Sequence, residues 1–334
     1  MSLMNREGLI IALLMWVCCG IAATGQTDPM LSHYYEIPAY YNPGAAGRGD
    51  MLRVRAVGRA QWVGVDNAPR SLACIADMPV KLSGMPDIAA GIAFHQEKLG
   101  LYRNLTAGVM AGLRLKVAGG TVTPALRLGM LGEAFKGSEV ILPDSDSETT
   151  DDAIPATDVS GNAFDMGIGV GWQKKNFECG LSVLHLNSPT VSFSGAGVTA
   201  GSGTGDAERD YYEFSVSPTC YLSASGNIPV KNTLLELLPS IIFASDFTSM
   251  TGAATILTRY NHLLSIGAGY RWKDALTLHL AVEYRGLYLG YSYEYPLSEI
   301  SRVSNGSHEI AAGYSIKLDL SDKNRFKQKS IRIL

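Results

Sequence analysis

Residues 276–284 read LTLHLAVEY, and this stretch decides the fold. Leu276, Leu278, Leu280, Val282 and Tyr284 fall on one side of an extended chain, with Thr277, His279, Ala281 and Glu283 on the other. Successive side chains of a strand point to opposite faces, so this is a strand with one apolar and one polar face. The period recurs outward from here. Leu264, Ile266, Ala268, Tyr270 and Trp272 oppose Ser265, Gly267, Gly269 and Arg271. Phe164, Met166, Ile168, Val170 and Trp172 oppose Asp165, Gly167, Gly169 and Gly171. Val109, Ala111, Leu113 and Leu115 oppose Thr106, Gly108, Arg114 and Lys116, and residues 308–320 repeat the pattern with Ile310, Ala312, Tyr314, Ile316 and Leu318.

Two architectures suit such strands. In a soluble sandwich the apolar faces meet each other. In an outer-membrane barrel they meet lipid, and the polar faces line the lumen. Three features favour the barrel. The strands run to about 10 residues, the length of a tilted membrane strand. Trp62, Trp172, Trp272 and Tyr284 sit at ends of apolar faces, where an aromatic girdle belongs. Residues 1–25 also read as a secretory signal peptide: Arg6, an apolar run over 9–23, and a small-x-small site at Ala23-Thr24-Gly25 that would leave Gln26 as the new N-terminus. A lipid-anchored alternative fits poorly, because Met15-Trp16-Val17 precedes Cys18.

Composition agrees. The chain has 334 residues, 46% hydrophobic and 18% charged, which excludes a disordered chain. No stretch beyond the signal approaches the 18 or more apolar residues of a spanning helix. The net charge is −3, which gives no reason to expect nucleic acid as a partner. Cys74, Cys179 and Cys220 are three in number and widely spaced, which is no disulfide framework; they suit small, half-buried strand positions. No Cys/His cluster has metal spacing, and no cofactor is expected.

The expected fold is all-β: a transmembrane barrel of about fourteen antiparallel strands over residues 51–320. The strands begin near Leu52, Ser71, Ile88, Leu105, Thr121, Ala163, Phe177, Tyr211, Leu234, Thr255, Leu263, Leu276, Leu287 and His308, with 243–261 the hardest stretch to divide. An even count puts both termini on the periplasmic side. Turns at 118–120, 174–176, 260–262 and 285–286 are short, as periplasmic turns should be; connections at 136–161, 187–210 and 296–307 are long, as outer loops should be. The tight connection at 273–275 is the exception. The polar faces carry Arg53, Arg55, Arg59, Arg114, Lys116, Arg127, Asp77, Glu133, Asp165, Glu213 and Glu283, which are expected to pair inside the lumen. Residues 143–158 (PDSDSETTDDAIPATD) form an acidic stretch without EF-hand spacing, and 194–210 a Gly/Ser-rich one; both read as solvated loops. Residues 321–334 form a basic periplasmic tail, either a docking element or a plain end.

Catalysis finds little support. There is no GxSxG elbow, HExxH or phosphate-binding loop. His95 and His308 are placed near the outer rim, and Ser304, Ser307 and Glu309 lie close in sequence to His308. Neighbours in a strand face opposite ways, so His308 and Glu309 cannot both turn inward.

Residues 26–50 remain. Their start, QTDPMLSHYYEIPAYYNPGAAG over 26–47, has no strand or helix period, and its prolines exclude a ladder strand. Such a segment lies either in the periplasm beneath the barrel or inside its lumen, where its backbone avoids lipid. Tyr34, Tyr35, Tyr40 and Tyr41 would bury large rings there and aim their hydroxyls at lumen charges.

This stretch resembles the start of the PorP/SprF family of Bacteroidota outer-membrane proteins, with its Gln-x-Asp-Pro, tyrosines and Asn-Pro-x-x-x-Gly. RAQWVGVDNAPRS over 59–71 is similar to the family's Arg-x-Gln-Trp followed by Gly and Ala-Pro. GLYLGYSYEYPLSEISRVSNGSHEI over 286–310 resembles its closing Gly-Tyr-x-Tyr-x-Tyr and Gly-Ser-His-Glu. Two features depart from the family's pattern: Gly44 in place of the alanine of the usual Asn-Pro-Ala, and the basic tail.

The resemblance implies a non-enzymatic component of the type IX secretion system. It would help secreted cargo, such as adhesins of the gliding machinery, reach or stay on the cell surface. The expected partners are a cargo protein with a type IX C-terminal domain, periplasmic or outer-membrane components of the apparatus, and outer-membrane lipid. The motifs offer Tyr34, Tyr35, Asn42 and Pro43, then Arg59, Gln61 and Trp62, then Tyr291, Tyr293, Tyr295, His308 and Glu309 for partner binding. Arg59 and Gln61 have a plainer reading, in which they satisfy each other in the lumen. A passive porin or FadL-like channel is the rival class.

Overall fold

The computed structural model describes residues 28–81, 87–140, 157–193 and 213–318. The segment expected to be a signal peptide, the basic tail, the Gly/Ser-rich stretch and most of the acidic one lie outside them. Strands are β1 (Met51–Ala60), β2 (Arg70–Val80), β3 (Asp87–Leu99), β4 (Tyr102–Val117), β5 (Gly120–Lys136), β6 (Asp158–Lys174) and β7 (Phe177–Leu184). They continue with β8 (Thr190–Ser192), β9 (Glu213–Ser215), β10 (Thr219–Gly226), β11 (Ile228–Pro229), β12 (Leu235–Ser245) and β13 (Met250–Tyr260). The last are β14 (Leu264–Arg271), β15 (Ala275–Tyr284), β16 (Leu287–Pro296) and β17 (Ser307–Lys317).

Fifteen of these form one sheet, which closes where β10 pairs with β12 and where β1 pairs with β17. The two-residue β11 is only a flap on β12, so fourteen antiparallel strands make the ring. The separate pair β8–β9 is not one of its strands. One expected strand was misplaced. The strand assigned near Tyr211 begins at Thr219, because Pro218 has no N–H to give the ladder and residues 213–215 pair with β8 instead.

Both ends of the ring chain, Met51 and Lys317, lie side by side. At this termini end the turns after β4, β6, β13 and β15 are short, as expected. The turn Arg285-Gly286 has φ of 50° and 85°, the left-handed pair that matches strand twist in a two-residue hairpin. The long connections after β5, β7 and β16 gather at the opposite, loop end. The tight turn after β14 belongs to the loop end all the same, with Lys273 at φ 57°.

The two faces separate cleanly. On β15, Leu278 is 64% exposed on the outer wall and His279 is 3% exposed inside. Trp272 and Tyr284 end the outer faces of their strands, Trp172 is half-buried beside Phe177 near the end of β6, and Trp62 lies in the turn past β1. The three cysteines are half-buried and unbonded. The core is the lumen, where the N-terminal segment is enclosed.

Candidate functional site: a plugged lumen

The segment from Asp28 to Asp50 packs inside the ring. Leu31, Tyr34, Ile37, Tyr40 and Tyr41 are buried against inward side chains that are mostly small, including Ala73, Ala89, Ala93, Ala281 and Ala311. Short wall residues leave the room that four tyrosines need. The prolines start structure here rather than only breaking it. Pro38 opens a one-turn helix, Pro38–Tyr41, and Pro43 opens a 3-10 turn, Pro43–Ala45. Proline suits the first helical position, where its missing N–H costs nothing. Asn42 caps the second turn: its Oδ1 accepts from Gly44 N at 2.8 Å, and its Nδ2 donates to Val170 O at 3.1 Å. That turn lies flat on the backbone of β6, and a Cβ at Gly44 would collide with Gly171 and Val170. Gly44, the departure from Asn-Pro-Ala, is therefore set by this close approach.

Charges on the wall bolt the segment down. Arg59 of β1 donates to Met30 O at 2.6 Å and to Glu294 of β16 at 2.7 Å. Arg271 of β14 donates to the other oxygen of Glu294 at 2.7 Å, and Ser32 Oγ donates there too. Glu309 of β17 accepts from the backbone N–H of Ser32 (2.9 Å) and of His33 (2.7 Å), and its Oε1 lies 2.7 Å from His33 Nδ1. Ser32 and His33 belong to the first sequence motif, Arg59 to the second, and Glu294 and Glu309 to the third. Three stretches far apart in the chain thus meet at one buried point.

Other bolts surround it. Arg55 donates to Glu36 at 2.9 Å, Arg48 pairs with Glu178, and Gly47 N donates to Asp77 at 2.8 Å. At the loop end, His185 sits between Asp165 (2.9 Å from Nδ1) and Asp28 (3.1 Å from Nε2), and Tyr221 donates to Asp28 at 2.9 Å. Burial by itself would lower the His185 pKa, but the two carboxylates outweigh it and push the imidazolium up to about 10. Burial would likewise raise Asp28, yet the charge of His185 holds it well below the usual carboxylate range.

A second apolar cluster lies nearer the loop end. The β8–β9 hairpin lays Val191, Phe193 and Val216 on the inner side of Leu131 and Val159. Below the plug, towards the termini end, a polar vestibule of about 290 Å³ is bordered by Glu36, Arg48, Glu178, Arg259 and Glu283.

A family model described as "Type IX secretion system membrane protein PorP/SprF" matches residues 23–314. The chain belongs to this family. Among solved structures, this PorP/SprF protein is similar to the toluene transporter TbuX of Ralstonia pickettii, at 11% identity and TM-score 0.46, covering 91% of this chain and 98% of that one. It is similar to the toluene transporter TodX of Pseudomonas putida, at 10% identity and TM-score 0.46, covering 86% and 94%. The translocator domain of the autotransporter NalP from Neisseria meningitidis matches at 14% identity and TM-score 0.40, covering 80% and 87%. No curated protein matches.

The residues expected to bind partners divide by face. Tyr34, Tyr35, Asn42, Pro43, Arg59 and Glu309 come together inside, as parts of the plug and its anchors. Tyr291 and Tyr295 are exposed on the outer wall, Tyr293 is half-buried there, and His308 Nδ1 lies 2.7 Å from Tyr291 Oη on that wall. Gln61 and Trp62 lie in the turn beyond β1, where Gln61 N donates to Pro69 O at 3.0 Å and Trp62 N to Ser307 Oγ at 3.1 Å. Arg59 therefore faces Glu294, not Gln61. The tyrosine hydroxyls meet fewer charges than expected: Tyr34 donates to Ser240 O (2.8 Å) and Tyr41 to Pro29 O (3.2 Å), while Tyr35 lies 3.3 Å from His279 Nδ1. His95 is not at the rim either. It is buried in the lumen against Tyr40.

Most of the expected lumen charges do pair inside. Arg53 meets Asp77, Asp165 meets His185, and Glu283 meets Arg259. Lys116 is exposed near the termini end, and Glu213 is exposed on β9, which is not a strand of the ring. Asp28, Ser32, His33, Glu36, His185 and Glu294 were not singled out, and Arg271 was read onto a polar face without a partner. One signal was available for Glu294: in GYSYEYP the residues between the tyrosines take the inward face by alternation.

Proposed function

We propose that this PorP/SprF protein works without chemistry of its own. It serves in the outer membrane as a surface docking and anchoring element of the type IX secretion system for cargo that carries a type IX C-terminal domain. On this reading residues 1–25 are a cleaved signal peptide. The termini end faces the periplasm and its components of the apparatus, and the long connections face the outside and the cargo. Gln61, Trp62 and the 297–306 connection, joined by the Val63–Gly306 and Asn305–Val63 backbone bonds, form part of the cargo-facing rim. Tyr291, Tyr293, Tyr295 and His308 serve the lipid or a membrane partner on the outer wall.

The observation that carries this reading is the lumen filled by the N-terminal segment. Three family motifs converge on holding a plug, an arrangement suited to a scaffold and poorly suited to a passive porin. The test is a pull-down of the tagged barrel from native outer membranes, followed by mass spectrometry. Recovery of a large secreted protein with a type IX C-terminal domain is expected. Its absence, together with large steady conductance of the purified barrel in planar bilayers, would replace this reading with a channel.

A further inference from the structure

The outer wall carries a feature that neither the plug nor the rim uses. Arg70 on β2 pairs in register with Lys98 on β3, and Lys98 with Arg103 on β4. All three side chains are exposed and lie on the outward face at the loop end. Neighbouring strands are about 4.8 Å apart, so the row spans about 10 Å. Like charges directly opposite one another destabilise a sheet. No acidic side chain relieves these: among the described residues none of the three has an ion pair, and Arg103 only donates to Gln96 at 3.2 Å. Lys136, nearby on β5, does have its own carboxylate partner, Glu139. The row is bounded by alanines, Ala60 on one side and Ala134 on the other.

A second observation lies directly below. Four residues down the same three strands, about 13 Å at 3.3 Å per residue, the outer wall is hollowed into an apolar groove of about 580 Å³. Cys74, Ala76 and Ala107 are its small members, and Ile92, Val109 and Met130 are its exposed rims. Gln96 lies between row and groove, cross-strand from Leu72 and Leu105.

We propose that this is a binding site for a phosphate-bearing anionic lipid: phosphates on Arg70, Lys98 and Arg103, an acyl chain in the groove. Each half of the site explains the other. Three uncompensated cations call for an anion with more than one charged oxygen, and guanidinium groups match phosphate in fork geometry. An apolar groove facing the bilayer takes a hydrocarbon chain. The spacing between them suits one amphiphile whose head and tail are held on the same three strands.

The test uses the purified full-length barrel in phosphatidylcholine nanodiscs, titrated with diphosphoryl lipid A and read by native mass spectrometry. One bound lipid A per barrel is expected. The triple substitution R70Q/K98Q/R103Q should weaken binding at least tenfold, with heat-modifiable migration on gels confirming that the barrel still folds. Ala107→Phe, which fills the groove and leaves all three charges, should weaken it severalfold. Inorganic phosphate at the same concentration should not displace the lipid. Equal binding by the triple variant would overturn the proposal. So would full displacement by inorganic phosphate with no effect of Ala107→Phe, which would leave a simple ion site. Removing residues 144–152 should not change the lipid count; a gain would assign the cations to that acidic stretch.

Discussion

Glu294 concentrates the chemistry of the plug in one side chain. It is 2% exposed and pairs with Arg59 and Arg271 at once, one carboxylate oxygen to each, while Asp274 gives Arg271 a second carboxylate. Glu294→Gln leaves two buried guanidinium groups facing a neutral amide. Removing one partner of a buried pair costs about 3–5 kcal/mol. The expected result is a lower urea midpoint for the barrel in detergent, with an unfolding slope close to that of the wild type. Gly44→Ala is expected to cost about 1–3 kcal/mol by overpacking against β6, read from the same titration.

His185 and Asp28 act at the same scale but depend on pH. The His185 pKa is raised from 6.5 to about 10, so its contribution is complete below about 6.5 and is lost as pH rises towards 10. Asp28 is depressed from 3.8, so its contribution is present above about 4 and is lost as pH falls through its folded value. The latch is therefore strongest between about pH 4 and 6.5. Proteolysis of the N-terminal segment should accelerate between pH 7 and 10 in the wild-type protein. In His185→Gln it should be faster at pH 6 and show less further change. Equal rates for the two proteins at pH 6 would refute the latch.

At the scale of elements, the N-terminal segment and the ring have separable roles. The ring closes through its own ladders, from β1–β17 to β10–β12. The segment contributes side chains to the lumen and no ladder strand. Deleting residues 28–39 while keeping residues 1–27 is expected to leave heat-modifiable barrel in the outer membrane and to reduce cargo at the cell surface. Unchanged surface cargo would argue against the role given to the plug. The orientation is tested by cysteine labelling: a cysteine at Ser147 should react with an impermeant reagent on intact cells, and one at Lys174 should not.

The alternation of side chains was enough to read nearly every strand, because a residue's face depends only on its parity. It failed near Tyr211, itself outside the described residues: residues 213–215 join the short β8–β9 pair and the spanning strand starts only after Pro218. It also sorts the candidate site afterwards. Tyr291, Tyr293 and Tyr295 share one parity and Ser292 and Glu294 the other, so the conspicuous aromatics are outside and the acid that matters is inside.

At the scale of the whole molecule, the N-terminal segment fills the barrel's lumen, and the β8–β9 hairpin packs on the inner face of β5 and β6 nearer the loop end. Single-channel recordings of the purified protein should therefore show little steady conductance, and removal of residues 28–39 should raise it.

The class of the protein follows from local sequence. Period-two patterning, turn residues and loop lengths are short-range properties, so fourteen strands and an inward-facing set of charges can be counted along the chain. What the tertiary structure alone decided is who meets whom. Arg59 was legible as a lumen charge, but its partner lies 235 residues away. Ser32 and His33 looked unremarkable beside four tyrosines, yet Glu309 holds both. Closing the ring brings β1, β16 and β17 together, and enclosing the segment sets its backbone N–H groups against their carboxylates. Those contacts depend on strand register and ring closure, which are long-range properties that no single stretch of sequence contains.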